Sequence, residues 1–432
     1  DSAKKERMRL TRVFKGSRAF IALLDRLVEE LPRGWIPFAD VEYDGKCVAS
    51  AELSRTSVCN ANKTAPLGKR LRALEKDIWR RIRILRPRRQ EKLLEFANRF
   101  PEHAMETKAF ARMLSIRESG RIREQIRAFT RVDCVKAYRA LFADRAAFER
   151  LTSGLLPREE AEIVRLSTWA QLGALELEMA YEDAVAIAYL QARVDGSRAY
   201  ANLRQVVVDE VQDLDVLHAA LMGLLFPNAR FTLLGDVHQT LAGRADPSFY
   251  RQTQAVLGKP NSLLVSLDKS FRCTREIWAF SERFLPPGTA GFSRSGEEPV
   301  IHGAADEGTI YALLEEQTRA CRQKGCESIA VLCKTQRDAR RLYERLKDRM
   351  NVTLLGQNDS VRGGELTIAS LFMAKGLEFD AVFIWDADAS RYREEADKQL
   401  LYIGCTRALH ILQLFHLGER SPLLPADGEG IE

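Results

Sequence analysis

Two adjacent carboxylates close an apolar, β-branched run, Val206-Val207-Val208-Asp209-Glu210-Val211-Gln212-Asp213, and a third follows three residues on. A continuous apolar run of this length reads as a buried parallel strand. In open α/β sheets, ligands sit beyond the carboxyl ends of such strands. Acids placed there have the chemistry of a Walker B site: Asp209 to hold Mg²⁺, usually through coordinated water, and Glu210 to orient and deprotonate a water attacking a γ-phosphate. A competing reading makes the same acids an N-cap on a helix beginning near Leu214, because acids suit helix N-termini.

Four further blocks decide between these readings by their order. Phe231-Thr232-Leu233-Leu234 is a second strand, ending in Gly235-Asp236-Val237-His238-Gln239. Its glycine permits a tight turn, and Gln239 is a neutral hydrogen-bonder able to sense a terminal phosphate. Ser270-Phe271-Arg272-Cys273-Thr274-Arg275-Glu276-Ile277 opens a helix with Arg272 just before it. Ala374-Lys375-Gly376-Leu377-Glu378-Phe379-Asp380 and Leu401-Tyr402-Ile403-Gly404-Cys405-Thr406-Arg407-Ala408-Leu409 lie near the end. Each block alone is weak; together they are specific.

The ordered set resembles superfamily 1 helicases of the UvrD/Rep/PcrA type, from about Asn202 onward. The resemblance implies Asp209 as the magnesium carboxylate and Glu210 as catalytic base. It implies Gln239 as γ-phosphate sensor, Arg272 and Arg407 as phosphate-contacting arginines, and Glu378, beside Gly376, as a nucleotide ribose contact. Planar guanidinium groups suit phosphate oxygens, and phosphoryl transfer needs positioning and charge stabilisation above all. ATP and Mg²⁺ are the implied cofactors.

No G-x-x-x-x-G-K-[S/T] loop occurs to cradle the α- and β-phosphates. Leu67-Gly68-Lys69-Arg70 lacks the upstream glycine and the hydroxyl residue, and Gly258-Lys259-Pro260 has proline where a helix gains its first donors. Residue 1 is Asp, and the simplest expectation is a fragment that begins after the loop, inactive by itself.

The 432 residues, with 46% hydrophobic and 29% charged content, suit a globular chain of about three domains. No apolar run approaches a membrane span and no signal peptide is visible, so a bacterial cytoplasmic protein is expected. Eight cysteines without a CxxC pair argue against a disulfide framework or zinc site. Cys321, Cys326 and Cys333 read as buried thiols, and His238 as loop filler.

The net charge of +6 is unevenly spread. Residues 61–150 hold 24 Lys and Arg against 11 Asp and Glu, an excess of 13 that leaves the remainder at −7. The densest stretch carries Arg80, Arg81, Arg83, Arg86, Arg88 and Arg89 among apolar residues. It could follow a phosphate backbone or an acidic protein groove, or simply be a helical face in water.

The pattern predicts an α/β fold of two RecA-like parallel-sheet lobes, the first incomplete, with a mainly helical basic insertion. The expected divisions are 1–60 (remnant of the first lobe), 61–200 (helical basic arm), 201–287 (rest of the first lobe) and 288–432 (second lobe). Helices are expected over Arg18–Glu30, Val216–Leu225, Thr274–Leu285, Thr309–Arg322 and Asp397–Ala408. Strands are expected at Leu263–Leu267, Ser328–Cys333, Leu366–Ser370, Ala381–Trp385 and His410–Leu417. Pro101, Gly120 and Pro157 punctuate the helical part, and Pro286-Pro287-Gly288 marks a boundary.

Departures from the UvrD pattern narrow the resemblance. Gln239 is followed by Thr240-Leu241-Ala242-Gly243-Arg244, without an aromatic to stack on bases. Ser370-Leu371-Phe372 replaces the usual Thr-x-His, and only about 100 residues separate Arg272 from Lys375. With Phe14-Lys15-Gly16-Ser17, Phe292-Ser293-Arg294-Ser295-Gly296 and the run Tyr392 to His410, the chain looks like the HelD branch, bacterial ATPases that bind RNA polymerase and release it from nucleic acid. That resemblance implies DNA or RNA polymerase, or both, as partner; the oligomeric state is left open. The alternatives are a conventional UvrD/Rep-type DNA helicase of repair or recombination, or a catalytically silent polymerase- or DNA-binding module.

Overall fold

The computed structural model describes residues 2–62, 64–99, 105–174, 179–196, 200–236, 239, 248–267, 272–285, 294–356 and 364–425. Val237, His238, Thr240 to Arg244, Ser270, Phe271, Pro101, Pro286 to Gly288, Phe292 and Ser293 lie outside them. The chain forms two compact units. One comprises Asp1–Val207, Leu214–Thr232 and Ser248–Pro260; the other Val208–Asp213, Leu233–Pro247 and Asn261–Glu432.

The first unit is mainly helical. Helix Arg18–Glu30 buries Phe20, Leu23, Leu24, Leu27 and Val28, the i, i+3, i+4, i+7 stripe of an amphipathic helix. Ser17 caps it by accepting the Phe20 N–H. Strands β1 (Val41–Tyr43) and β2 (Lys46–Ala49) pair antiparallel across Asp44-Gly45. Both turn residues have positive φ, 53° and 72°, as a two-residue hairpin turn requires. Helices Leu67–Arg99 and Thr107–Thr130 run antiparallel, with Arg89 paired to Glu118 (2.9 Å) and Leu93 and Ala97 clustered with Ala111. Gly120, expected to interrupt the helical part, lies inside the second of these. The penalty of about 1 kcal/mol for a helical glycine is small beside the packing of the pair. Lys15 and Asp183 form a buried ion pair at 2.6 Å, and the Tyr138 hydroxyl donates to the same carboxylate oxygen.

β3 (Gln205–Val208) and β4 (Arg230–Leu233) form a two-stranded sheet. Arg230 N–H donates to Arg204 O (2.8 Å) and Leu234 N–H to Val208 O (2.8 Å), so the bonds advance in the same direction along both strands.

The second unit is built on a parallel sheet. β5 (Val300–Ala304), β6 (Ile329–Cys333), β7 (Val352–Leu354), β8 (Leu366–Ser370), β9 (Phe379–Ile384) and β10 (Ala408–Leu417) are ordered β5-β10-β9-β6-β8-β7. Among the described residues its neighbouring strands pair parallel. β6 and β8 are buried along their whole length, as strands covered on both faces must be. Ile329 and Val331 pack with Ile310, Leu314, Leu342 and Leu346 of helices Glu307–Gln323 and Gln336–Leu346. Ala330 and Leu332 pack on the other face with Ile277, Phe280, Leu401 and Ile403 of helices Arg275–Glu282 and Glu395–Cys405. The α/β class read from the sequence is thus realised. Cys321, Cys326 and Cys333 are buried thiols, and burial pushes Cys321 up to about 12. The run Leu263–Leu267 corrects one expectation: it forms no strand, and Leu263 and Leu267 are 86% and 87% exposed. Among the described residues, no helix is long and apolar enough to cross a membrane.

Candidate active site

The candidate residues Asp209, Glu210, Gln239, Arg272, Gly376, Glu378 and Arg407 all belong to the second unit. Beyond β3 the chain turns sharply, because Glu210 adopts φ 51°, a left-handed conformation uncommon for a residue with a Cβ. The Asp209 carboxylate accepts the Glu210 N–H (2.8 Å), and Val211 N–H donates to Leu234 O (2.9 Å). These bonds fix Val211–Asp213 as a single 3₁₀ turn. The N-cap of the following helix, Val216–Leu225, is Asp215, whose carboxylate accepts the His218 N–H (3.1 Å). Capping therefore falls to Asp215, and Asp209 and Glu210 are left to other work.

Gln212 donates to Glu210 Oε2 (2.5 Å) and accepts the Asp236 N–H (3.1 Å), tying the turn after β3 to the one after β4. The Gln239 amide donates to Asp236 Oδ2 (2.9 Å), and its oxygen accepts from Arg407 Nη2. Gln239 is 5% exposed and Arg407 fully buried. Arg407 also donates to Ile403 O (3.1 Å) and Leu377 O (3.4 Å). Burial, then the charge of Arg272, pushes its guanidinium down to about 10. Arg272 sits just before helix Arg275–Glu282 and pairs with Glu378 at 2.6 Å. Gly376 has φ 79°, and a Cβ there would lie 3.9 Å from Glu210 Oε1, so this turn runs against the Glu210 carboxylate.

Sequence reasoning singled out neither Lys375 nor Asp213 for a role. Lys375 Nζ lies 2.5 Å from Asp213 Oδ2, 3.5 Å from Glu210 Oε2 and 2.6 Å from Gln239 O. The third carboxylate of the opening motif was the available signal. Glu276 was also missed. Ser295 Oγ (2.7 Å), Gly296 N–H (2.7 Å) and Arg275 (3.0 Å) all donate to it. Gly296 must be glycine, since a Cβ would lie 2.4 Å from Thr274 Cγ2. Arg294 completes this node by donating to Arg272 O (3.0 Å) and Leu409 O (2.8 Å).

The bonds that Arg407 makes among the described residues all go to neutral oxygens. A buried cation so placed fits a polyphosphate anion. Asp209 is exposed and has no cation partner among the described residues. Among them, no group of three or more His, Cys, Asp or Glu side chains is arranged to hold a metal ion. Mg²⁺ does not need one, because it is commonly held by one or two carboxylates, waters and substrate phosphates.

Residues 366–414 match the UvrD-like helicase C-terminal domain. The matched helicase segment holds β8, β9, Lys375, Gly376, Glu378 and Arg407. A solved structure, the C-terminal domain of a possible DNA helicase from Lactobacillus plantarum WCFS1, is 30% identical over 38% of this chain and 96% of that one, with a TM-score of 0.33. No curated protein matches the chain.

The basic stripe lies in the first unit, on helix Leu67–Arg99. Arg80 and Arg81 pair with Asp77 (3.2 and 2.9 Å), Arg81 also donates to Val48 O (3.0 Å), and Arg88 and Arg89 reach Asp44 (3.9 and 3.7 Å). Arg83 and Arg86 are exposed. Part of the stripe is thus spent on internal acids.

Proposed function

We propose that the second unit carries the carboxylate and arginine part of an ATP-hydrolysing site in a superfamily 1 helicase-type motor. The observation that carries this reading is the continuous network Glu210–Gln212–Asp236–Gln239–Arg407, whose last member lies in the helicase-matched segment. Bound Mg²⁺ and ATP would supply the electrophilic phosphorus and part of its charge neutralisation. Asp209 would hold the metal, and Glu210 would take the proton of the attacking water. Gln239 would report the terminal phosphate, Arg272 and Arg407 would balance its charge, and Glu378 beside Gly376 would meet the ribose. The nucleotide must win Gln239 from Arg407 and Arg272 from Glu378, so binding rearranges this network.

The chain has no Walker A loop of its own, and by this reading it does not turn over ATP alone. We place the motor in the HelD branch, acting on RNA polymerase–nucleic acid complexes, with the exposed Arg83 and Arg86 of the basic stripe facing polymerase or DNA. The support is the motif departures and the basic excess. The test is steady-state ATPase of a form bearing a Walker A loop, with and without Glu210→Gln. The variant is expected to bind nucleotide and to lose two or more orders of magnitude of turnover, in line with loss of a general base. Unchanged turnover removes Glu210 from that role. Replacing Arg83 and Arg86 by Glu is expected to weaken polymerase or DNA binding in a salt-dependent manner.

A further inference from the structure

We propose that Arg294 is a positioning residue that fixes the backbones carrying Arg272 and Arg407 relative to each other, so that both guanidinium groups meet one phosphate anion. The inference rests on the motor reading above and adds to it a residue that acts through two others.

The two arginines are far apart in the chain and sit on different elements. Arg272 lies ahead of helix Arg275–Glu282, and Arg407 lies between helix Glu395–Cys405 and β10. Arg294 spans them. Its Nη2 has two hydrogens and donates to Arg272 O (3.0 Å) and to Leu409 O (2.8 Å), two residues past Arg407. A guanidinium that is always charged makes these bonds stronger than a neutral donor would. Its Nε is buried without a hydrogen bond, a desolvation cost that the two Nη2 bonds have to outweigh. The base of Arg294 is itself anchored. Its carbonyl accepts the Arg275 N–H (2.8 Å), and Ser295 and Gly296 both donate to Glu276 (2.7 Å each). The side chain therefore starts from a fixed point at helix Arg275–Glu282 and reaches β10. A ring of contacts results. The Arg272 side chain pairs with Glu378, and the next residue, Phe379, donates its N–H to Arg407 O (3.0 Å). From Leu409 O the ring returns through Arg294 to Arg272 O. A nucleotide that takes Arg272 from Glu378 opens this ring on one side. The Arg294 bonds go to main-chain oxygens, so they survive that exchange and keep the two arginines in register.

The test is steady-state ATPase of the Walker A-bearing form, read as kcat and KM, together with hydrogen exchange of the Phe379 amide in the full chain. The variants are Arg294→Gln, Arg294→Lys, Arg272→Gln and the double variant Arg272→Gln/Arg294→Gln. Arg294→Gln is expected to lower kcat about 100-fold, the loss that a displacement of about 1 Å produces, with KM little changed. Lysine keeps the charge and is expected to recover about tenfold of that loss. In the double variant the combined loss should fall short of the product of the single losses, because part of what Arg294 holds is already gone. Phe379 exchange should speed up about tenfold in Arg294→Gln. Should the glutamine variant fail to fold, the lysine variant is read alone, with kcat about tenfold below wild type and KM unchanged. Unchanged kcat, a rise in KM alone, lysine no better than glutamine, losses that multiply in full, or unchanged Phe379 exchange overturns the proposal. Faster Phe379 exchange in Arg294→Gln, with no hydrolysis by the otherwise wild-type Walker A-bearing form, would keep the positioning and remove the motor. Normal hydrolysis in both, with unchanged exchange, would do the reverse.

Discussion

Glu276 offers the sharpest stability test, because it ties the helix behind Arg272 to residues 294–296. Its carboxyl is held down to about 2 from 4.5, first by the Ser295 hydroxyl, then by the backbone amides of Glu276 and Gly296 and by Arg275, against the cost of burial. A depressed acid contributes stability that is present above its unfolded value and is lost as pH falls from about 4.5 toward about 2. At about 1.4 kcal/mol per unit, the shift corresponds to roughly 3 kcal/mol at neutral pH. Glutamine retains one acceptor, so Glu276→Gln is expected to lose about 2 kcal/mol. Hydrogen exchange of the peptide holding Gly296, whose N–H donates to Glu276, reads this directly. Exchange of that amide should speed up about 30-fold at pH 7, the equivalent of about 2 kcal/mol. Urea midpoints measured from pH 7 to pH 3 should fall more steeply for wild type than for the variant. An unchanged exchange rate, or parallel acid limbs for the two proteins, would refute the reasoning.

Asp386 works in the opposite sense. Burial, and then Asp388, pushes its carboxyl up to about 6, so its penalty appears as pH rises from about 4 to about 6 and persists above. Asp386→Asn, a residue that tolerates the φ of 53° found there, is expected to stabilise by about 1–2 kcal/mol at pH 8 and by almost nothing at pH 4 in thermal melts. Lys15→Met would strand the fully buried Asp183, one of whose oxygens already lacks a hydrogen bond, at a cost of about 3–5 kcal/mol in denaturant titration. Adding Asp183→Leu should recover much of that loss, and failure to do so would mean that the pair is not the source.

Helix Arg18–Glu30, helix Val216–Leu225 and strand Leu366–Ser370 have the limits that their apolar spacing predicts. In each, local periodicity and the tertiary environment agree. Leu263–Leu267 carries an equally strong apolar run and forms no strand, because a strand exists through its ladder partner and periodicity does not report one. Edge strands β5 and β7 escaped notice because they are short and only partly buried. For the site, residue types in a fixed order named Glu210, Gln239 and Arg407, which the fold joins through Gln212 and the backbone and side chain of Asp236. The order could not pair Lys375 with Asp213 across 162 residues, nor reveal that Arg272 spends its charge on Glu378.

The Asp44-Gly45 turn has a mechanical meaning. Helix Leu67–Arg99, 33 residues long, is about 50 Å from end to end and would flex as a beam if held only at its base. Asp44 grips it at Arg88, Arg89 and Lys92, while Gln125 of the antiparallel helix bonds to Asp40 O (2.8 Å). The small β-hairpin is thus a brace set well along the beam, and beyond Lys92 the helix is steadied by its antiparallel neighbour through Leu93, Ala97 and Ala111. A load applied at the tip would reach the first unit as torque on this brace, making Asp44 the fulcrum.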